Sequence, residues 1–162
     1  MIRIAAATPA DVPLLHRLVQ ALSVYEKLQH TLVATEADLE RALFGPRPCA
    51  EALVASLEEQ PVGYALFFPT YSTFLGKPGL WLEDLFVLPE ARGRGVGRAL
   101  LARLAVLALE RGGGRLEWAV LDWNEPSIAF YKSLGAVPLD DWTTYRVAGE
   151  ALTTLATVPA AR

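Results

Sequence analysis

The run Leu85-Phe86-Val87-Leu88-Pro89-Glu90-Ala91-Arg92-Gly93-Arg94-Gly95-Val96-Gly97-Arg98 limits the fold more than any other part of this sequence. It reads as a strand that enters a glycine-rich turn and leaves it as a helix, expected over 96–111. Three glycines at alternate positions let a backbone turn tightly and let a ligand approach it closely. Unpaired N–H groups at the start of the following helix, aligned with its dipole, form an anion cradle. Arg92, Arg94 and Arg98 add positive charge, so the turn is suited to phosphate. The helix is apolar on most sides, so it is expected to pack against a sheet.

The remaining elements follow by pattern. A first strand is expected over 1–6. Thr8-Pro9-Ala10-Asp11 has the residue order of a helix start, and Leu15, Leu18, Val19 and Leu22 follow at helical spacing. Residues 25–34 are expected to be a loop. Thr35-Glu36-Ala37-Asp38 repeats the start signal for a short helix that ends at Phe44-Gly45-Pro46. Strands over 53–57 and 62–68, joined by a turn at 58–61, make a hairpin. Residues 69–79 read as a loop and 80–88 as a strand. A further strand is expected over 116–121, then a helix from Asn124-Glu125-Pro126 through Leu134 with Gly135 past its end, and a last strand at 145–147. The expected fold class is α/β (α+β): one mostly antiparallel mixed sheet flanked by helices.

Composition narrows the function. A length of 162 residues with 52% hydrophobic and 20% charged residues suits one packed domain, taken as 1–156, with a frayed tail over 157–162. A net charge of −3 argues against a nucleic-acid partner, which needs a basic face, and fits a cationic one. Cys49 is the single cysteine, so neither an internal disulfide framework nor a thiolate zinc site is available; with only His16 and His30 besides, no metal is expected. The first residues lack a signal peptide's pattern. The most apolar stretch, 99–109, is broken by Arg103, so no membrane association is expected and the default compartment is the cytoplasm.

The phosphate-loop pattern G-x-x-x-x-G-K-[ST] is absent, and G-x-G-x-x-G fails because Arg98 and Leu100 occupy the required third glycine positions. R-x-x-G-x-G is met by Arg92 to Gly97. A second constellation, Asp122-Trp123-Asn124-Glu125-Pro126-Ser127-Ile128-Ala129-Phe130-Tyr131-Lys132-Ser133-Leu134-Gly135-Ala136, puts Ser127 and Tyr131 on one helix face behind Asn124 as N-cap. Both segments resemble the GCN5-related N-acetyltransferases, which bind the acetyl-CoA pyrophosphate through [QR]-x-x-G-x-[GA]. Trp81-Leu82-Glu83-Asp84-Leu85-Phe86-Val87, Tyr25-Glu26 and Thr35-Glu36-Ala37-Asp38-Leu39 narrow the likeness to the spermidine/spermine and thialysine acetyltransferase branch, over residues 2–148.

The resemblance implies a fold with a splayed central strand pair and a homodimer, with residues 71–81 and the C-terminal segment as contacts. It implies cofactor contacts from Leu85, Phe86 and Val87, from Arg92, Gly93, Arg94, Gly95, Val96, Gly97 and Arg98, and from Asn124, Pro126, Ser127 and Tyr131. It implies substrate contacts from Tyr25, Glu26, Glu83, Asp84, Glu117, Trp118 and Ala119. Glu83 and Tyr131 are then the catalytic pair. Relatives that acetylate polyamines carry glutamates near Leu139-Asp140-Asp141-Trp142-Thr143-Thr144-Tyr145-Arg146; this chain departs from them there.

The acid pair also stands on its own physics. Glu83 and Asp84 interrupt an apolar strand, where alternation puts them on opposite faces. A carboxylate in such surroundings needs a partner or a task, although a bulge at the sheet rim would leave both in water. An amine with a pKa near 10 must lose a proton before it attacks a thioester, and Glu83 is placed to take it. The expected function is acetyl transfer from acetyl-CoA to a small-molecule amine, a polyamine or a thialysine- or lysine-like amino acid. The alternatives are an acyl-CoA sensor without turnover and an acetyltransferase for an unrelated amine.

Overall fold

The computed structural model describes residues 1–158. They fall into two compact units, one over Met1–Leu121 and one from Asp122 onward. In the first unit, β1 (Ile2–Ala6), β2 (Glu51–Leu57), β3 (Gln60–Ser72), β4 (Lys77–Val87) and β5 (Leu116–Trp118) form one five-stranded sheet in sequence order. All neighbours are antiparallel except β4 and β5, which are parallel. Its helices are α1 (Val12–Tyr25), α2 (Glu36–Phe44) and α3 (Val96–Glu110). The mixed sheet with flanking helices is the fold class read from the sequence.

The local signals explain the elements. Thr8 and Asp11 form a reciprocal capping box before a single 3-10 turn, Pro9–Asp11, that leads into α1. Thr35 and Asp38 do the same for α2, and these bonds, with Arg41, hold the Asp38 carboxyl down at about 2. The β2–β3 turn is made by Glu58 and Glu59, both at positive φ. Alternation gives the sheet two apolar faces. Ala52 and Val54 of β2, Tyr64 of β3 and Phe86 of β4 pack with Leu15, Leu18 and Leu22 of α1 and Leu43 of α2. Leu53 and Ala55 point the other way. The buried side of α3 (Val96, Leu100, Leu101, Leu104, Ala108) packs against the sheet's strands.

Three sequence expectations need correction. Residues 69–79 are not a loop: β3 continues to Ser72, β4 starts at Lys77, and the pairs Pro69↔Leu80, Thr70↔Gly79 and Tyr71↔Pro78 make a long hairpin. Proline is tolerated because β2 pairs with β3 only as far as Phe67, which leaves Pro69 on a stretch with an open edge. The expected strand at 145–147 does not form. A run that short needs a neighbouring ladder, and the described residues of the second unit contain none. An unforeseen helix, α5 (Glu150–Ala156), follows Gly149 instead. Thr157 and Val158 close it with bonds to Thr154 and Leu155, and the rest of the expected tail, 159–162, lies outside the described residues.

Candidate active site

The glycine turn owes its shape to backbone dihedrals rather than to crowding. Gly93 and Gly95 have φ of 72° and 85°. An added Cβ would meet nothing within 4 Å at Gly93 and only Ile2 Cδ1, at 3.7 Å, at Gly95. Glycine is therefore required by the left-handed conformation. Gly95 is the N-cap of α3, and the first helical bond runs from Ala99 N–H to its carbonyl. The N–H groups of Val96, Gly97 and Arg98 thus precede the ladder and face outward with the helix dipole. Buried Val96, Leu100 and Leu104 anchor the helix behind them.

The strand before this turn has an open edge. The β4–β5 ladder comprises Leu80↔Leu116, Trp81↔Glu117 and Leu82↔Trp118 and stops there, while β4 continues to Val87. From Asp84 to Val87, β4 pairs only with β3 among the described residues. β5 ends at Trp118, so among the described residues no strand lies beside β4 on that edge from Glu83 onward. Val87 carbonyl accepts from Arg92 Nε at 2.9 Å. The Arg92 guanidinium lies 4.5 Å from the centre of the Tyr25 ring and 5.5 Å from that of Phe86, so it stacks on two rings that also touch each other. Arg94 pairs with Glu58 at 3.1 Å.

A β-bulge sits where the ladder stops. Leu66 pairs with Asp84 and Phe67 with Leu82, so Glu83 has no partner on β3. Strict alternation would put Asp84 on the face of Leu82. The extra residue instead turns Asp84 to the α1 side, with Phe86, while Leu82 stays buried on the α3 side. Glu83 is exposed and accepts from Trp81 Nε1 at 3.0 Å. Asp84 accepts from the Tyr64 hydroxyl at 2.9 Å. Burial pushes the Asp84 carboxyl above the usual carboxylate range; the Tyr64 bond opposes that rise and the Glu83 charge adds to it. Glu26, just past α1, is pushed up by burial and by the charge of Asp84. Burial, with the neighbouring acids, raises the Tyr64 phenol well above its ordinary value.

Tyr25, Glu26, Asp84, Phe86 and Arg92 are all among the residues expected at the site, and the first unit brings them together. Tyr64, which joins them through Asp84, was not among those expected. The available signal was a tyrosine in a buried strand, whose hydroxyl needs a partner. Glu117 and Trp118 lie on β5 with Ala119 just beyond it, and Glu117 pairs with Arg115 at 2.7 Å.

In the second unit, α4 (Glu125–Ser133) carries the other constellation. Buried Asn124 caps it by accepting from Ser127 N–H at 3.4 Å, and Pro126 occupies the first turn. Tyr131 lies one turn beyond Ser127 and packs against Phe130, with ring centres 5.4 Å apart. Gly135, at φ 86°, ends the helix as expected.

A family model described as the Acetyltransferase (GNAT) family matches residues 18–136. The L-ornithine N5-acetyltransferase NATA1 of Arabidopsis thaliana is 34% identical over 93% of this chain and 86% of its own length. The thialysine N-epsilon-acetyltransferase of Mus musculus is 36% identical over 95% of this chain and 96% of its own. Among solved structures, an integron cassette protein from the mobile metagenome of V. cholerae superposes with a TM-score of 0.80 at 25% identity, covering 97% of this chain and 98% of that one.

Proposed function

Since the chain belongs to the acetyltransferase (GNAT) family and is an N-acetyltransferase, we propose that it acetylates a primary amine of a small cation, with acetyl-CoA as donor. The acceptor is a lysine- or ornithine-like amino acid or a polyamine. The observation that carries this reading is the meeting, in one unit, of an anion-binding turn with a pair of acids, Asp84 and Glu26, beside an open strand edge. The names of the thialysine and ornithine acetyltransferases support the same acceptor class.

The residues fit the donor. Positive-φ glycines and three N–H groups at the start of α3 suit a pyrophosphate, with Arg92, Arg94 and Arg98 adding charge, and the edge at Leu85, Phe86 and Val87, beyond the end of the β4–β5 ladder, suits an amide-bearing arm. Asn124, Pro126, Ser127 and Tyr131 complete the proposed donor contacts. Acetyl-CoA, when bound, supplies the acetyl thioester. Asp84 and Glu26 hold the cationic acceptor, with Tyr25, Glu117, Trp118 and Ala119 along its path. Glu83, exposed and already held by Trp81, takes the proton from the amine nitrogen, directly or through water. As the nitrogen–acyl bond forms and the acyl carbon–sulfur bond breaks, Tyr131 Oη gives its own proton to the departing thiolate and is reprotonated from solvent. Both units work as one domain over residues 1–156, which the family match across both supports. We further propose a cytoplasmic homodimer; exposed Phe74 and Leu75 on the β3–β4 turn and Tyr145 in the second unit support a self-contact.

Thiol release from acetyl-CoA across putrescine, spermidine, spermine, thialysine, ornithine, lysine and a peptide amine tests this. Turnover with at least one small cation is expected. Tyr131→Phe should lower kcat by roughly 10²-fold with little change in donor binding. Silence across the panel with acetyl-CoA bound refutes the acceptor class, and an unchanged rate in Tyr131→Phe refutes the role of that tyrosine.

A further inference from the structure

We propose that Tyr64 is a positioning residue for the acceptor: its buried hydroxyl, donating to Asp84 Oδ2 at 2.9 Å, fixes the carboxylate that receives the substrate ammonium. The inference rests on the reading of Asp84 as an acceptor-binding acid. Tyr64 stands opposite Phe86 in the ladder and Asp84 stands opposite Leu66, two residues along, so phenol and carboxylate are diagonal neighbours on one face. Tyr64 is wholly buried, its ring set among Leu15, Leu18, Leu22 and Val54. A tyrosine has two rotatable side-chain bonds, and packing on this scale fixes both, so its hydroxyl is a fixed point. The carboxylate tethered to it keeps its second oxygen for the acceptor.

The neighbouring charges make such a tether necessary. Asp84 faces Glu26 from the end of α1 and Glu83 on its own strand, and both repel it. Arg92, the nearby cation, is spread over Tyr25 and Phe86 and bonded to Val87 carbonyl. The Tyr64 bond favours the ionised carboxylate against burial and against these acids. Because burial keeps the phenol itself protonated, Tyr64 remains a donor across the working pH range.

Tyr64→Phe removes one oxygen and keeps the ring. Amine kcat/KM should fall roughly tenfold or more, the size expected for one hydrogen bond to a charged group, while KM for acetyl-CoA stays unchanged. The acid limb of the kcat/KM profile should move to higher pH, because a carboxylate that loses a donor holds its proton longer. In an Asp84→Asn background the same change should alter kcat/KM less than twofold. The 13C carboxyl titration of Asp84 gives a readout independent of turnover: Tyr64→Phe should raise its midpoint. Difluorotyrosine at position 64, a stronger donor that preserves the ring, should lower it, and it serves if Tyr64→Phe fails to fold. An equal loss in both backgrounds, or a titration unmoved by either replacement, overturns the proposal. If the unaltered chain turns over no amine, the proposed activity fails, and the titration still decides the tether: a shift upholds it and an unmoved curve overturns it.

Discussion

Gly95→Ala separates backbone conformation from packing at the glycine turn. The new methyl group would meet only Ile2 Cδ1, at an ordinary 3.7 Å, so no clash is introduced. The whole penalty comes from holding a residue with a Cβ at φ 85°. That is worth roughly 1–2 kcal/mol. In a chain of this size each kcal/mol moves Tm by about 2–4 °C, so a fall of about 2–8 °C is expected by calorimetry. If the turn escapes the strain by rotating toward negative φ, the N–H groups opening α3 are redirected, and KM for acetyl-CoA should rise while that for the amine does not. Gly95→Asn, a residue that enters the left-handed region more readily, should recover part of both losses. A Gly95→Ala protein with unaltered Tm and unaltered acetyl-CoA KM would refute the claim that positive φ shapes this turn.

Leu104 is completely buried in α3, so Leu104→Ala should destabilise the protein by about 2–5 kcal/mol, read by urea unfolding. Asp84 and Glu26 carry raised pKa values in the folded chain, so the fold binds more protons than the unfolded chain just above the ordinary carboxylate range. The stability these groups contribute is present in acid and is lost as pH rises through their raised values. Asp84→Asn, which mimics the protonated form, should therefore raise Tm at pH 7 more than at pH 4 while weakening amine turnover; a Tm gain equal at both pH values would refute the assignment.

The sequence carried the site wherever local chemistry decides structure. Gly93 and Gly95 were readable because no other residue takes their φ without strain, and Asn124 because N-caps follow a short rule. Tyr25 and Glu26 came only with the family likeness, since nothing local says that the end of α1 faces β4. Long-range pairing hid the rest. Residues 69–79 look like a loop because proline and glycine punctuate them, and only the register with the facing strand turns them into a hairpin. Tyr64 could not be matched to Asp84 until a bulge, itself a property of two strands, turned Asp84 to its side. The run at 145–147 has strand propensity without a ladder, and propensity yields to context.

The bulge at Glu83 has a consequence for how this chain tolerates insertion and deletion. Leu82 and Asp84 already oppose Phe67 and Leu66, which are themselves adjacent. Excising Glu83 would therefore leave both halves of β4 facing as they do now, and the apolar layers would not notice the loss. The acid is a guest in a ladder that is complete without it. A bulge also coils its strand, and β4 leaves β5 at the residue just before this one. A chain shortened by that single codon would keep the register of its core and lose only the carboxylate proposed as the base.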